Sequence, residues 1–257
     1  MSERIVIVTG ASQGIGASIA SSFASNGDHV VLAARNEESL AATAAAMAGV
    51  GGSSSTVVTD VTDPVSVTAM VETVMTRHGR IDVLVNNSGV AGPSGRLWET
   101  DIEEWKSTFE VNVFGVFLAS RAVLPVMVAQ RSGSVVIVGS ITGKRPLFGR
   151  SPYATTKSAL VGLTRTLALE AGPEGVRVNL VSPGFVAGPR IDWVIDAQAN
   201  ARGITPDEVR REFEAESPMG RLTEPEDVAR AAVFLASPDA AGMTGVDLNV
   251  NSGAVMY

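Results

Sequence analysis

Short, continuously apolar, β-branched runs alternate with alanine-rich stretches along this chain, and few folds accommodate that pattern. The runs are Ile5–Val8, His29–Ala34, Thr56–Thr59, Ile81–Val85, Ser134–Val138 and Val176–Val181, with a last one near Val246–Val250. Between them lie helical patterns such as "GASIASSFASNG" and "SVTAMVETVMTRHG", which Gly27 and Gly79 are placed to close as left-handed caps. Strands without polar alternation are buried on both faces, as in a parallel sheet with helices on each side. Parallel neighbours require right-handed strand–helix–strand crossovers, so the expected fold class is α/β, a doubly wound parallel sheet of about seven strands. Apolar residues run throughout and no stretch reads as a linker, so residues 1–257 are expected to form one domain.

Three glycines crowd the end of the first run. "TGASQGIG", residues 9–16, follows "RIVIV" directly. In a doubly wound sheet this first strand-to-helix turn lies at the carboxyl edge, where ligands bind. Gly10, Gly14 and Gly16 remove Cβ atoms there, so backbone N–H groups can approach a pyrophosphate, and the next helix offers its N-terminus to the negative charge. A turn that merely tolerates glycine is the plain alternative; the position between first strand and helix favours the nucleotide.

Composition removes several other functions. There is no cysteine, hence no disulfide or thiolate chemistry. His29 and His78 are far apart in sequence and outside any ligand-like cluster, so no metal site is expected. A formal net charge of −7 argues against nucleic-acid binding. No apolar run is expected to reach the roughly 20 residues that span a bilayer. "MSERIVIV" lacks the basic-then-apolar order of a signal peptide, and a soluble cytoplasmic protein is expected. "AGVGGSSS", residues 48–55, reads as a surface loop.

The chemistry is carried by "YATTK", which sets Tyr153 and Lys157 at i and i+4 on one helix face. A free tyrosine, with a pKa near 10, is a poor acid or base at neutral pH, and a neighbouring ammonium lowers that value. Tyr153 could then give a proton to a carbonyl oxygen or take one from an alcohol. Ser140 ends an apolar strand and reaches the same sheet edge, where its hydroxyl could donate to a substrate oxygen. Alone, the pair also fits an ordinary amphipathic helix, and Ser140 also fits a cap.

"TGASQGIG" resembles the cofactor loop of the short-chain dehydrogenases/reductases, a Rossmann-type family. Further matches follow in the family's order: "NNSG" at 86–89, Asn112 in "EVNVFG", Ser140 in "VVIVGS", "YATTK" at 153–157 and "SPG" at 182–184. The resemblance runs from about residue 4 to the C-terminus. It implies Ser140, Tyr153 and Lys157 as catalytic residues, with Asn112 holding a water in a proton relay; by itself Asn112 also fits a polar helix residue making a local bond. It implies a nicotinamide cofactor held by Gly10, Ser12, Gln13, Gly14, Ile15 and Gly16, by Asp60 and Val61, by Asn87, Ser88 and Gly89, by Tyr153 and Lys157, and by Pro183, Gly184 and Val186. Ser88 stands where the family more often has alanine. The activity implied is hydride transfer between the cofactor and a ketone or secondary alcohol of small to medium size. A 3-oxoacyl-carrier-protein reductase is the alternative, disfavoured by Glu174 where those enzymes have a basic residue. A non-catalytic NADP-sensing regulator would have no reason to keep the catalytic residues together.

The end of the second strand bears on the cofactor. An acid there binds the ribose 2′-hydroxyl of NAD. This chain has Ala34 followed by Arg35, which can pair with a 2′-phosphate, so NADP is expected, with NAD possible. After "SPG" the family often has threonine where this chain has Gly188. Residues 189 to about 220 resemble the family's substrate lid, as two short helices with Pro206 opening the second. Trp193 and Ile195 are candidates to close over an apolar substrate, Leu97 and Trp98 form another candidate wall, and Arg190 reads as a surface or subunit contact sooner than as an anion ligand. The resemblance also implies a homotetramer, through helices around 101–131 and 152–171 bearing Val113, Phe117, Val161 and Leu167.

Overall fold

Side chains on a strand point alternately to its two faces, and both faces of this sheet are covered. The computed structural model describes residues 3–49 and 51–257. Seven strands are described: β1 (Ile5–Thr9), β2 (His29–Ala34), β3 (Ser53–Val58), β4 (Val83–Asn86), β5 (Gly133–Val138), β6 (Val176–Pro183) and β7 (Asp247–Val250). They form one parallel sheet in the order β3-β2-β1-β4-β5-β6-β7. The helices are α1 (Gly14–Ser25), α2 (Glu37–Ala48), α3 (Pro64–His78), α4 (Ile102–Phe109), α5 (Gly115–Gln130), α6 (Ser151–Ala171), α7 (Pro189–Arg202), α8 (Pro206–Ala215) and α9 (Pro225–Ala236).

Ile5, Ile7, Leu84, Val135 and Ile137 face a layer built by α3, α5 and α6. Val6, Val8, Val83, Val85 and Val136 face the opposite layer, built by α1, α2 and α9. Burying each large aliphatic side chain contributes about 1.5–3 kcal/mol, which explains the unbroken apolar runs. After β3 the chain crosses to the far side of β1 to form β4, so the loops leaving β1 and β4 diverge and open a crevice between them. Gly27 and Gly79 adopt the left-handed conformation expected of them, at φ 83° and 71°.

Several expectations need correction. β3 starts at Ser53, inside the stretch read as a loop; Val50, also in that stretch, lies outside the described residues. β3 is an edge strand, where polar residues are tolerated, and the Ser53 and Ser55 hydroxyls meet Nδ1 and Nε2 of His29 at 2.7 and 3.0 Å. β4 begins at Val83, because the backbone of Ile81 is bonded at both ends by the Gln130 side chain. His29 and His78, distant in sequence, bring their rings to 4.5 Å, and the hydroxyl partners of His29 leave it no free ring nitrogen. Met1 and Ser2, which open the stretch tested for a signal peptide, lie outside the described residues.

The span Ile102–Gln130 is in fact long and apolar enough to cross a membrane by length and composition, with a mean hydropathy of 1.8 in its richest window. In the fold it is α4, a π-helical turn at Glu110–Phe114 and α5, and Val116, Ala119, Val123 and Met127 lie buried against the sheet. Among the described residues, no group of three or more histidines or carboxylates comes together to hold a metal.

Phe23 on α1 is fully buried. Phe23→Ala should lower stability by about 3–5 kcal/mol. Urea unfolding should show an earlier midpoint with an unchanged slope.

Candidate active site

A cavity of about 640 Å³ opens at the carboxyl edge of the sheet, along the crevice between β1 and β4. Every residue that the sequence nominates for the cofactor lines it. So do Ser140, Tyr153 and Lys157; Asn112 lies behind its wall, fully buried.

At one end the glycine turn leads into α1. Gln13 precedes the helix without a side-chain cap, so the first-turn N–H groups of α1 have no side-chain acceptor. Gly14 has φ 53°, and a Cβ there would point into open space. A Cβ on Gly16 would be driven into the carbonyl oxygen of Gly10. The turn is laced to β4: Thr9 Oγ1 accepts from the N–H groups of Asn87 and Ser88 at 3.0 and 3.1 Å, and Asn87 Nδ2 donates to the carbonyls of Thr9 and Gly10. These uncapped amides and this tight, side-chain-free approach fit a dinucleotide pyrophosphate.

Beside the turn, Arg35 is exposed at the cavity edge. Asn36 caps α2 by accepting from the Ser39 N–H at 2.7 Å, and both of these residues also line the cavity. Asp60 accepts from the backbone and hydroxyl of Thr62, and these bonds hold its carboxyl below the usual range, helped by Arg35.

The other end holds the reactive groups. Ser140 lies two residues beyond β5 and caps a short 3-10 turn, Ile141–Gly143. Tyr153 and Lys157 come from the first turns of α6. Lys157 Nζ donates to the Val138 carbonyl at 2.8 Å and lies 5.7 Å from the centre of the Tyr153 ring. Burial opposes ionisation of Tyr153, yet Lys157, Arg190, a hydrogen bond with Ser140 and Arg150 together hold the phenol below its ordinary value. Burial pushes the Lys157 ammonium down, with Tyr153 acting against that. Asn112 sits in the π-helical turn; its Oδ1 accepts from the Val90 N–H and its Nδ2 donates to the Val90 carbonyl and Thr156 Oγ1.

The substrate side differs from the sequence reading. Ile195 is buried within a small separate core with Val209 and Phe213, because α7 and α8 must pack on each other before they can cover anything. Trp193, Leu97 and Trp98 do not line the cavity; its apolar wall is Leu147, Phe185, Ile191 and Val194. Arg190 is exposed, as a surface residue is, and at the cavity mouth it donates to the Gly89 carbonyl at 2.8 Å. Val186 is held by a bridge to Thr223. Sequence reasoning missed Thr9, Thr156 and Arg150. The position of Arg150 immediately before the "YATTK" helix was the available signal.

This geometry defines a dinucleotide-dependent oxidoreductase site. A family model described as enoyl-(acyl carrier protein) reductase matches residues 10–255. The short-chain reductase protein NovJ of Streptomyces niveus is 38% identical over 251 residues, covering 98% of this chain and 94% of that protein. The 3-oxoacyl-[acyl-carrier-protein] reductase FabG of Escherichia coli is 34% identical over 253 residues, covering 98% of each. The crystal structure of a single-residue variant of the actinorhodin polyketide ketoreductase with NADPH superposes with a TM-score of 0.95 at 33% identity, covering 99% of this chain and 98% of that one. The chain belongs to the short-chain dehydrogenase/reductase family.

Gly16→Ala forces the Gly10 carbonyl to move within the pyrophosphate turn. Dinucleotide binding, followed by fluorescence titration, should weaken at least tenfold, with a far smaller change in unfolding midpoint than Phe23→Ala causes.

Proposed function

We propose that this protein is an NADP(H)-dependent oxidoreductase that interconverts a ketone and a secondary alcohol of small to medium size. The observation that carries this reading is one cavity with Ser140, Tyr153 and Lys157 at one end and the uncapped α1 terminus beside Arg35 at the other. The nicotinamide, when bound, supplies or accepts hydride. The Tyr153 hydroxyl gives a proton to the carbonyl oxygen in reduction and recovers it in oxidation. The Ser140 hydroxyl donates to the same oxygen as negative charge builds there. Lys157 favours the phenolate left on Tyr153. The Asn112 side chain is bonded to Val90 and Thr156, which ties the π turn to α6 beside Lys157.

Arg35 reads the 2′-phosphate, since Ala34 offers no carboxylate to repel it. NAD remains a usable second cofactor. We read residues 1–257 as one domain, with α7 and α8, at about 189–220, as a substrate lid. A homotetramer is supported by the exposed Phe114 and Phe117 on the α4–α5 rod and Leu169 on α6, whereas Val161 and Leu167 pack inward on the core. A cytoplasmic location, a small-molecule substrate, and no nucleic-acid or membrane partner complete the reading. A carrier-bound 3-oxoacyl substrate is the second reading, favoured by the similarity to FabG. Glu174, which stands where those reductases have a basic residue, pairs with Arg131 at 3.2 Å just ahead of β6 and β5, at the edge of the sheet opposite the cavity, so it does not bear on the cavity mouth.

Tyr153→Phe removes the proton and keeps the ring, so turnover of a ketone panel with NADPH should fall on the order of 10²–10⁴-fold while cofactor affinity holds. A residual rate within threefold of the parent would reject the assignment. A catalytically silent NADP sensor would show no parent turnover at all. The pH profile should follow the phenol. Since the neighbours favour its ionised form, alcohol oxidation should rise with pH and level off below pH ~10, and ketone reduction should decline over the same interval. Lys157→Met should move both limbs to higher pH. Arg35→Ala should weaken NADPH roughly tenfold, the low end for a charge-assisted bond at an exposed site, and leave NADH nearly unchanged; kcat/KM for both cofactors with one ketone decides this.

A further inference from the structure

Arg150 helps favour the Tyr153 phenolate but is given no contact with the substrate by the reaction. It immediately precedes α6 and is 4% exposed, unusual for a guanidinium, which stays charged at any physiological pH. Its Nη2 donates to the Ala91 carbonyl at 2.8 Å. Its Nη1 is buried and has no hydrogen-bond partner. The faces of the group are occupied: Cζ lies 5.1 Å from the centre of the Tyr153 ring and 5.7 Å from that of Trp193. Aromatic rings satisfy the face of a guanidinium and not the N–H groups at its edge. Among the described residues no carboxylate forms an ion pair with it.

The charge around it reinforces the point. Arg150, Lys157 and Arg190 all line the catalytic end of the cavity, in a chain whose formal net charge is −7. Asp60, by Arg35 at the opposite end, is the only carboxylate among the described lining residues. Burial disfavours the charge on Arg150, Tyr153 acts against that, and Arg190 adds to the burial. A buried charged donor left unpaired is costly, and a ligand is one group that can complete it.

We infer that Arg150 binds a carboxylate of the substrate, and that the substrate is a free oxo acid rather than a neutral ketone or thioester. This rests on the reductase reading and narrows its substrate class. The apolar wall of Leu147, Phe185, Ile191 and Val194 receives the carbon chain, Ser140 and Tyr153 receive the ketone oxygen, and Arg150, which lines this end of the cavity, receives the carboxylate by a turn of its side chain that brings the now buried Nη1 to the anion.

The test compares 2-oxohexanoate and 3-oxohexanoate with their methyl esters, using NADPH at neutral pH, in the parent, Arg150→Met and Arg150→Lys. At least one acid should be preferred over its ester in kcat/KM by roughly ten- to a hundredfold, the range for a charge-assisted hydrogen bond. Arg150→Met should bring that ratio below threefold, whatever loss both substrates share, and Arg150→Lys should keep part of it. A parent that uses the esters as well as the acids, or an Arg150→Met variant that retains the preference, overturns the inference. Calorimetry of the NADP-loaded protein with hexanoate and hexanamide supplies a readout without turnover. Hexanoate should bind the parent at least tenfold more tightly than hexanamide and lose that advantage in Arg150→Met; equal binding to the parent overturns the inference. If neither acids nor esters are reduced, the reductase reading fails and the calorimetric comparison decides the anion site alone.

Discussion

Everything in this molecule depends on parallel strand pairing. Parallel neighbours cannot be joined by a tight turn, so each strand must be followed by a crossover, and each crossover brings a helix to one face. The chain fills one face through α1, α2 and α9 and the other through α3, α5 and α6. Because it changes sides after β3, the loops leaving β1 and β4 part from one another, and the crevice between them is a by-product of topology. Thr9 and Asn87 then lace the two lips together, fixing how wide the crevice stands. The cavity is therefore set by backbone geometry before any catalytic side chain is placed in it.

The catalytic end gathers charge of one sign without the usual compensation. Burial alone would keep Tyr153 neutral and would also discourage the ammonium of Lys157. Neither side chain can move out of this conflict, since Lys157 is tied to the Val138 carbonyl and Tyr153 is one turn away on the same helix. The result is a phenol that ionises more readily than a free one. The site stores this bias in positions fixed by α6 and β5, so no rearrangement is needed when charge develops on a substrate.

The fold class and the crevice lined by the cofactor candidates were legible in the sequence because they rest on local rules. Uninterrupted apolar runs report strands buried on both faces, and glycine spacing reports where backbone must come close. The edge strand β3 escaped notice at Ser53–Ser55, since its hydroxyls are bonded to His29, a contact between distant residues. The substrate half was misread for a similar reason. Ile195 looked available to a ligand, but α7 uses it to pack on α8. Arg190 is at the surface, but nothing local in the sequence reveals that Gly89 lies within its reach. Long-range pairings of this kind have no periodicity to betray them.

The π-helical turn at Glu110–Phe114 acts as a phase shifter. A regular helix advances about 100° per residue, and the one extra residue per turn that a π segment carries displaces everything beyond it by about that angle. The rod from Ile102 to Gln130 is thus two helices on one axis with different faces turned to the sheet. The seam in phase falls on Asn112, the one buried polar residue of the turn, whose bonds to Val90 and Thr156 lock the offset in place. A one-residue deletion within this turn would leave the composition almost untouched while rotating the face of α5 away from β4 and β5. The length of this segment therefore matters more to the packing of α5 than the identity of most of its residues.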